Sequence, residues 1–341
     1  MVGNIPVGGG APVAVQSMCN TKTQDAAATL AQMEALKAAG CDIIRIAVPH
    51  EEAAKALPDI MKKAPMPVVA DIHFDHRLAL MACDAGISAV RINPGNIGSK
   101  DRVREVARAC EDKHIPIRIG VNTGSVEKAM LAKYGGATAE ALVESAAREI
   151  EALHEFGFDD IALSVKASEV TKCVKAYRLA AERFDCPLHL GVTEAGTSYT
   201  GLVASSVGIG TLLNEGIGDT LRVSLTADPV EEVRAGIAIL KACGLRKGGV
   251  KMVSCPTCGR TRIDLIGLAQ QAEQRLASID RDITVAVMGC EVNGPGEARG
   301  ADFGMAGGNG FGSIFIKGEV VRTKIPEAEL LDALMELIEN N

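Results

Sequence analysis

The first 243 residues alternate between short apolar runs and longer helical segments. The short runs are rich in β-branched residues and predict strands over 13–18, 43–48, 68–72, 89–93, 116–121, 160–166, 188–193 and 220–225. Alanine-rich stretches with helical apolar spacing predict helices between them, among them 26–39, 102–111, 140–156 and 229–243. Eight strand–helix units indicate an α/β protein built on a closed parallel TIM (β/α)8 barrel, with active-site groups at the carboxyl ends of the strands.

An open, doubly wound parallel sheet is the main alternative for this pattern. Such a sheet, where it binds a dinucleotide, carries a glycine-rich phosphate turn directly after its first strand. Gly8, Gly9 and Gly10 stand before that strand. We therefore interpret them as a loop, which favours the barrel.

A second domain is predicted after the barrel. Over 244–249 the sequence changes from an alanine-rich helix to a short polar linker, which predicts a barrel over 1–245 and a separate domain over 246–341. The rest of the chain predicts a strand (251–254), a helix (264–276), a strand (284–288), a glycine-rich stretch (304–312) that suits either close backbone approach to a ligand or a flexible loop, a hairpin (313–316 and 319–323) and a helix (327–339). This order indicates a small α+β domain.

Composition restricts the class of protein further. A chain of 341 residues with 47% hydrophobic content can bury a large core. Its net charge of −7 and isoelectric point near 5.5 argue against nucleic acid or a membrane surface as the default partner. No apolar run has the length of a membrane span, and the amino terminus lacks a charged-then-apolar signal segment. Seven of the ten cysteines are scattered singly, which favours reduced core thiols and a cytoplasmic location.

Five predicted strands each place one cation between apolar neighbours. The five residues are Arg45, Arg91, Arg118, Lys166 and Arg222. Alternate side chains of a strand point to opposite faces, so apolar neighbours that face the helix layer turn the cation toward the barrel axis. We therefore predict that five cations converge on the barrel mouth.

Too few acids accompany these cations. Asp71 and Glu194 are the carboxylates expected to join them, which leaves an excess of about three positive charges. A buried charge without a partner costs several kcal/mol, so the cluster needs an anion. A diphosphate has the charge and the geometry that guanidinium groups recognise. The alternative is that some of these cations extend to solvent or pair with carboxylates on loops.

Other polar residues follow the same strand ends. Asn93, Asn96, Asn122 and Ser224 can donate to phosphate or hydroxyl oxygens, although each also suits a turn or a helix cap. Glu194 stands at a predicted strand terminus beside cations. It is therefore a candidate for proton transfer.

Three cysteines lie in turn-forming sequences of the second domain. Cys255 and Cys258 have a spacing that lets both thiolates bind one metal centre, and Cys290 follows the next predicted strand. All six histidines precede these turns and no cysteine follows Cys290, so a zinc site completed locally by a fourth cysteine or by a histidine is excluded. Glu291 and Glu297 are the nearest candidate oxygen ligands. Three thiolates with one exchangeable oxygen favour an iron–sulfur cluster, with a zinc ribbon short of one ligand as the alternative.

Three stretches resemble the 4-hydroxy-3-methylbut-2-en-1-yl diphosphate synthases of the non-mevalonate isoprenoid pathway, in their two-domain bacterial form. They are Val-Gly-Gly-Gly-Ala-Pro-Val-Ala-Val-Gln-Ser-Met (7–18), Cys-Pro-Thr-Cys-Gly-Arg (255–260) and Gly-Cys-Glu-Val-Asn-Gly-Pro-Gly-Glu-Ala (289–298). The resemblance extends over essentially the whole chain. The family pattern has a short basic segment before the first stretch, so we expect either that a first element at the bottom of the barrel is absent or that the sequence is trimmed.

This resemblance implies an oxidoreductase with a TIM barrel joined to an α+β iron–sulfur domain. The implied reaction is the two-electron reductive ring opening of 2-C-methyl-D-erythritol 2,4-cyclodiphosphate, with loss of water, to 4-hydroxy-3-methylbut-2-enyl diphosphate. It implies a 4Fe-4S cluster bound by Cys255, Cys258, Cys290 and the exchangeable ligand Glu297, with Glu194 as the acid of the barrel. The implied substrate contacts are Arg45, Arg91, Arg118, Asn122, Lys166, Arg222 and Ser224.

The resemblance also implies a homodimer and a ferredoxin or flavodoxin as electron donor. The linker after Gly244 is short, so a partner's cluster domain is expected to cap each barrel in a closed two-fold arrangement. Two rival classes stay open. A phosphate-binding barrel enzyme of the aldolase or pterin-synthase type with a structural zinc ribbon predicts a colourless zinc protein, and a non-catalytic electron carrier does not explain five inward cations.

Overall fold

The structure of the protein is a computed structural model that describes residues 1–290 and 298–341. These residues form two compact units, Met1–Arg246 and Lys247–Asn341. Each unit has its own sheet and its own hydrophobic core. In the described parts of the chain, no helix combines the length and the apolar character needed to cross a membrane.

Eight parallel strands form the sheet of the first unit. Their bounds are β1 (Ala14–Met18), β2 (Ile43–Ala47), β3 (Val68–Asp71), β4 (Ala89–Ile92), β5 (Ile117–Asn122), β6 (Ile161–Lys166), β7 (His189–Leu190) and β8 (Thr220–Leu221). Hydrogen-bonded neighbours follow the order β6-β5-β4-β3-β2-β1-β8-β7. The Leu163 amide donates to the Pro187 carbonyl at 2.8 Å, and a parallel bridge joins Leu163 to Leu188. This contact brings β6 beside β7 and closes the barrel.

Helices follow the strands of the barrel. Their bounds are α1 (Ala26–Ala38), α2 (Glu51–Met61), α3 (His76–Asp84), α4 (Pro94–Ile97), α5 (Lys100–Asp112), α6 (Lys128–Tyr134), α7 (Ala139–His154), α8 (Val170–Arg183), α9 (Ser198–Asn214) and α10 (Pro229–Ala242). Several of these helices begin at a side-chain cap. Asp25 accepts a hydrogen bond from the Ala28 amide at 3.0 Å, and Asp228 accepts one from the Val230 amide at 2.9 Å. Each cap satisfies an amide that has no partner within the helix.

The main core of the first unit lies between the barrel and its helices. Outward-facing strand residues such as Ile44, Ile46 and Ile119 are fully buried there. A smaller apolar cluster fills the amino-terminal end of the barrel interior and consists of Ala14, Ile43, Val69 and Ala89, with Val2, Ile5 and Val7 packed against it. We call this cluster the barrel floor. The polar residues of the interior therefore lie above the barrel floor, toward the carboxyl ends of the strands.

The second unit is a five-stranded sheet with two helices. Its elements are β9 (Val250–Ser254), α11 (Leu265–Leu276), β10 (Ile283–Met288), β11 (Phe303–Gly307), β12 (Phe311–Ile316), β13 (Glu319–Pro326) and α12 (Glu327–Glu339). The strand order is β13-β12-β11-β10-β9. Strands β9, β10 and β11 are parallel, whereas β11, β12 and β13 pair antiparallel. Residues of both helices join one core with one face of the sheet, which gives the small α+β unit that the sequence predicts.

The predicted barrel is confirmed, and every predicted barrel strand begins within one residue of the observed one. The last two strands are shorter than predicted, with two residues each. Beyond β8 the Leu225 amide donates to the Glu232 carboxylate at 3.0 Å instead of to a neighbouring strand. A side chain thus replaces the sheet partner there, and the strand ends early.

The glycine-rich stretch over 304–312 is a strand in its first half, because Phe303–Gly307 forms β11. A Cβ atom on Gly304 would overlap the ring of Phe315 on the neighbouring strand. The glycine is therefore required by close packing of the ring over the strand rather than by a flexible loop.

Candidate active site

The five strand cations face the interior of the barrel. Strand neighbours of Arg45, Arg91 and Arg118 are buried in the outer core, while the guanidinium groups bond to residues of other strands. The register pairs Asp71 with Arg91 and Arg91 with Arg118 across β3, β4 and β5. Arg91, Arg118 and Lys166 are 8%, 8% and 7% exposed. These charges are thus gathered in a largely water-excluded space.

Asp71 links two of the arginines. Its carboxylate lies 3.1 Å from Nη1 of Arg91 and 3.6 Å from Nε of Arg45. Burial disfavours the ionised carboxyl, but Arg45 and Arg91 outweigh it and hold the pKa of Asp71 below its ordinary value. Nη2 of Arg91 also donates to the Gly120 carbonyl at 3.0 Å. A Cβ at Gly120 would overlap the guanidinium group of Arg91, so only glycine leaves room for this pose.

A second carboxylate, Glu232, holds Arg222. Nε and Nη2 of Arg222 each donate to the Glu232 carboxylate at 3.2 Å. Glu232 also accepts from Ser17 Oγ at 3.2 Å and from the Leu225 amide at 3.0 Å, so both of its oxygens are occupied. Sequence reasoning missed Glu232 because it comes from the first turn of α10, where an acid also suits the helix dipole.

Arg118 and Lys166 have no carboxylate partner in the described chain. Burial, followed by Arg45 and Arg91, holds the pKa of Arg118 well below its ordinary value. Burial, followed by Arg45 and Arg222, does the same for the pKa of Lys166. The ammonium of Lys166 has space because a Cβ on Gly191 would lie 2.6 Å from its Nζ. These two residues are the charges most in need of an anion.

The count of acids needs one correction. Glu232 is the second carboxylate that pairs with the cations, whereas Glu194 is exposed in a turn after β7 and makes no salt bridge with the described residues. Its backbone adopts a φ of +53°, in the left-handed region, which directs the chain away from the strand before α9. With five cations and the two carboxylates Asp71 and Glu232, the excess is still three positive charges.

The remaining predicted polar residues lie at the carboxyl ends of the strands. Asn122 ends β5 and pairs in register with Lys166, and Ser224 lies half-buried in the segment after β8. Asn93 is buried, and its Nδ2 has no hydrogen-bond partner within the described residues. Asn96 is exposed, on α4. His73 extends the cluster, since its Nε2 lies 3.5 Å from Nη1 of Arg91.

His189 is a further interior residue that sequence reasoning did not select. It is 1% exposed, and its Nδ1 lies 2.8 Å from Oγ1 of Thr220. Burial, followed by Arg118 and Lys166, holds its pKa well below the ordinary value, so the imidazole is neutral at physiological pH. Its position in a predicted strand could have indicated an inward-facing side chain. A lone histidine in a strand is also common in protein cores, so this position alone does not indicate a functional site.

Lowering the pH below about 6.5 should destabilise the protein through His189. The folded state keeps the imidazole neutral, whereas the unfolded chain binds a proton near the ordinary pKa of 6.5. Stability that is present above this pH is therefore lost as the pH falls, by up to about 1.4 kcal/mol per pH unit. Urea unfolding at a series of pH values should show a flatter acid limb for His189→Asn.

Comparing the wild type with His189→Asn also distinguishes the effect of His189 on the pH dependence of stability from that of Glu149. Burial raises the pKa of Glu149 to about 8, so this residue makes stability fall as the pH rises above its ordinary value of 4.5. That slope has the opposite sign and is the same in both proteins. Superimposable acid limbs for wild type and His189→Asn would contradict a neutral buried imidazole.

The three cysteines of the second unit lie at one end of its parallel strands. Cys255 directly follows β9 and Cys290 comes two residues after β10, which is the neighbour of β9. Sγ of Cys255 accepts a hydrogen bond from the Gly289 amide at 3.2 Å. Cys258 is exposed, and its pKa is lowered, first by a backbone amide of Arg260. Amide donors of this kind stabilise thiolates.

The chemistry of these donors fits an iron–sulfur cluster, but the full ligand set is not assembled in the described residues. No group of three or more histidine, cysteine, aspartate or glutamate side chains comes together as a metal site within 1–290 and 298–341. Glu291 and the predicted ligand Glu297 lie outside the described residues. Three free thiols on adjacent turns, one with a lowered pKa and one accepting an amide hydrogen bond, are soft donors suited to iron.

Comparison with known proteins finds matches over nearly the entire chain. Residues 1–237 match the GcpE TIM-barrel domain, and residues 251–340 match the GcpE protein C-terminal domain. The chain is 60% identical over 338 residues to 4-hydroxy-3-methylbut-2-en-1-yl diphosphate synthase (flavodoxin) of Geobacter sulfurreducens, which covers 99% of this chain and 96% of the relative. It is 56% identical over 338 residues to the protein of the same name in Clostridium perfringens, with 99% and 97% covered.

More distant solved structures share the barrel alone. The phospho-2-dehydro-3-deoxyheptonate aldolase of Thermotoga maritima has a TM-score of 0.50 at 10% identity, with 71% of each chain covered. The N-acetylneuraminic acid synthetase of Leptospira borgpetersenii has a TM-score of 0.50 at 12% identity, with 72% of this chain and 89% of that chain covered. At this level of identity the likeness shows the fold and carries no information on chemistry.

Proposed function

This chain belongs to the GcpE family, and on that premise we propose that it is a 4-hydroxy-3-methylbut-2-en-1-yl diphosphate synthase. The reaction opens the ring of 2-C-methyl-D-erythritol 2,4-cyclodiphosphate with two electrons and two protons and releases one water, giving 4-hydroxy-3-methylbut-2-enyl diphosphate. Identity of 60% over 99% of the chain is the observation that carries this proposal. The alternative of an aldolase or pterin-synthase type of enzyme is not favoured, because only the barrel fold supports it.

The barrel interior is the proposed site for the substrate diphosphate. Three uncompensated positive charges favour an anion, and Arg118 and Lys166 are the members with no carboxylate of their own among the described residues. Guanidinium groups bind phosphate oxygens with paired hydrogen bonds. The proposed contacts are Arg45, Arg91, Arg118, Asn122, Lys166, Arg222 and Ser224.

The two buried carboxylates have a different task from the cations. Asp71 orients Arg45 and Arg91, and Glu232 orients Arg222, so that these guanidinium groups keep their positions before substrate arrives. Donors that are fixed beforehand need no reorganisation when charge develops during the reaction. Glu194, exposed in the turn after β7, is the proposed proton donor to the oxygen that leaves as water.

A 4Fe-4S cluster held by Cys255, Cys258, Cys290 and Glu297 is the proposed source of electrons to the substrate, one at a time. The chemistry of the three thiols supports this assignment, as does their position on adjacent turns. The role of Glu297 rests on the family resemblance of the run Gly-Pro-Gly-Glu. An oxygen ligand is exchanged more readily from iron than a thiolate, so Glu297 would be the replaceable ligand of the four.

The proposed partners are an electron donor and a second copy of the chain. The relatives named above support a flavodoxin, with a ferredoxin of similar function as the other candidate. A homodimer is supported by an exposed apolar face on α9, which consists of Tyr199, Leu202, Val203 and Val207. These residues recur at helical spacing and would be covered by a partner. We further propose a cytoplasmic location, in which the free thiols of the cluster site stay reduced.

Replacing Arg118 with alanine should weaken substrate binding by roughly 2–5 kcal/mol. Arg222→Ala should do the same, because each change removes a buried contact between a cation and the diphosphate. The two variants should differ in thermal stability when no ligand is bound. Arg222→Ala leaves Glu232 as a buried charge without its partner and should lower the unfolding temperature, whereas Arg118→Ala relieves repulsion among cations and should leave that temperature unchanged or raise it.

The affinity for substrate and the stability without ligand can both be measured on the same preparations. Isothermal titration calorimetry gives the affinity for substrate, and thermal unfolding in the absence of ligand gives the stability. If Arg118→Ala binds substrate like the wild type and unfolds at a much lower temperature, then Arg118 is a structural residue and the diphosphate site is wrongly placed.

A further inference from the structure

Arg118 crosses the barrel from one wall to the other. In the closed strand order, β5 stands four strands from β1 in either direction, so the two strands face each other across the axis. Nη1 of Arg118, on β5, donates to Oε1 of Gln16, on β1, at 2.5 Å. Gln16 is 2% exposed. The guanidinium group thus lies within the barrel, anchored at its far end by a neutral amide.

No other described residue provides such an anchor in the structure. Gln16 is the one hydrogen-bond partner of the Arg118 guanidinium in residues 1–290 and 298–341, and Nη2 is buried with no partner among them. Beneath the pair is a cavity of about 30 Å³ whose lining includes Gln16, Arg118 and Thr220 together with residues of the barrel floor. That floor is apolar, so it offers the guanidinium no acceptor. Without Gln16, the side chain would lose its fixed position.

The neutrality of the anchor distinguishes Arg118 from its neighbours. Arg91 and Arg222 are each held by a carboxylate, which fixes the guanidinium but also cancels its charge. A glutamine accepts the same hydrogen bond and leaves the positive charge uncompensated. Arg118 therefore combines a fixed position with a full charge, and its Nη2 is still available for an anion.

We propose that Gln16 is the positioning residue for Arg118, holding the guanidinium across the barrel so that it meets the diphosphate in a preset orientation. This inference rests on the proposed function, since it assumes that the interior cations bind a diphosphate. The proposed role of Gln16 is exerted through Arg118 and not through a contact with substrate. Its effect on affinity arises because a side chain that is already ordered loses less conformational freedom on binding.

The test uses the full-length chain and inorganic diphosphate as the probe, with binding measured by isothermal titration calorimetry. Gln16→Met keeps the length and volume of the side chain but removes the acceptor. It should weaken diphosphate binding roughly ten- to hundredfold, the effect of losing a hydrogen bond to a charged group. Gln16→Glu keeps the acceptor but cancels the charge of Arg118, and it should also bind diphosphate more weakly.

A double-mutant cycle separates positioning from a general structural effect. If Gln16 acts only through Arg118, the variant carrying both Gln16→Met and Arg118→Ala should bind diphosphate no more weakly than Arg118→Ala alone. Thr29→Val is the matched control. It removes a buried hydroxyl in α1 that lies 2.9 Å from the Thr21 hydroxyl, in the helix layer outside the barrel interior, and should leave affinity unchanged.

The outcomes distinguish this inference from the function on which it rests. Unchanged diphosphate binding in Arg118→Ala would show that the diphosphate site is wrongly assigned. Weaker binding in Arg118→Ala together with wild-type binding in Gln16→Met, or with full additivity in the double variant, would overturn the positioning role alone. If Gln16→Met fails to fold, Gln16→Glu decides instead, because wild-type affinity with a carboxylate at this position contradicts the requirement for a neutral anchor.

Discussion

Replacing Cys258 or Cys290 with serine should abolish turnover and remove most of the iron. The wild-type chain, purified without oxygen, should be brown and should contain about four iron and four sulfide ions. Serine oxygen is a much poorer ligand for iron in such clusters than a thiolate, and three thiolates are all that the motif supplies. Iron and sulfide analysis, the visible spectrum and the rate of substrate reduction check the three parts of this expectation.

Two further variants make the cysteine result specific. Cys186→Ser changes a half-buried thiol of the first unit and should keep both cluster and activity. Glu297→Ala should keep much of the iron but lose most of the activity, because the carboxylate is proposed to hold the exchangeable position of the cluster. An active, colourless preparation with one zinc ion per chain would contradict the cluster and would restore the zinc-ribbon alternative.

The barrel could be predicted because its signal is local. Each strand is a short β-branched run, and each helix has its own amphipathic pattern, so neighbouring residues are sufficient to locate the elements. The same local rule predicted the direction of the cations, since Ile44 and Ile46 face the outer core and Arg45 does not. Strand lengths were less predictable. At β8 the end of the strand is set by Glu232, a side chain from the following helix.

The partners of the cations could not be predicted, because they depend on contacts across the barrel. Gln16 and Arg118 are 102 positions apart in the sequence, and nothing near either residue indicates the other. Glu232 is similar, since its place in the first turn of α10 has a sufficient local explanation in the helix dipole. Glu194, by contrast, was expected beside the cations from its sequence neighbours; it is exposed and makes no salt bridge with the described residues.

These partners divide the interior cations into two classes. Arg222 pairs with Glu232, and Arg45 and Arg91 share the single carboxylate of Asp71, so these three side chains can be ordered without ligand while one of their three positive charges stays uncompensated. Arg118 and Lys166 have no carboxylate among the described residues and carry the other two uncompensated charges, and hence most of the attraction for an anion. Affinity is therefore expected to fall when either class is changed, whereas stability without ligand is expected to fall only when a buried carboxylate loses its partner, as proposed for Arg222 and not for Arg118. Binding of diphosphate should also stabilise the fold, since it neutralises crowded like charges.

Two inactive variants of this chain should restore activity to each other when they are produced together. The first is Cys290→Ser, which lacks the cluster, and the second is Arg118→Ala, which lacks a cation of the substrate site. The proposed homodimer assigns each barrel a cluster domain from its partner. In a mixed dimer, one composite site then carries both changes and the other carries neither.

Random association of the two variants makes half of the dimers mixed, and each mixed dimer has one intact site out of two. Co-expression should therefore yield roughly a quarter of the wild-type activity from two proteins that are each inactive alone. Different affinity tags on the two variants allow the mixed dimer to be purified, and its activity should be about half that of the wild type. A matched pair, Cys290→Ser with Cys258→Ser, should recover nothing, because both changes affect the same domain and every composite site is damaged. If the purified mixed dimer of Cys290→Ser and Arg118→Ala is also inactive, each barrel must use the cluster of its own chain.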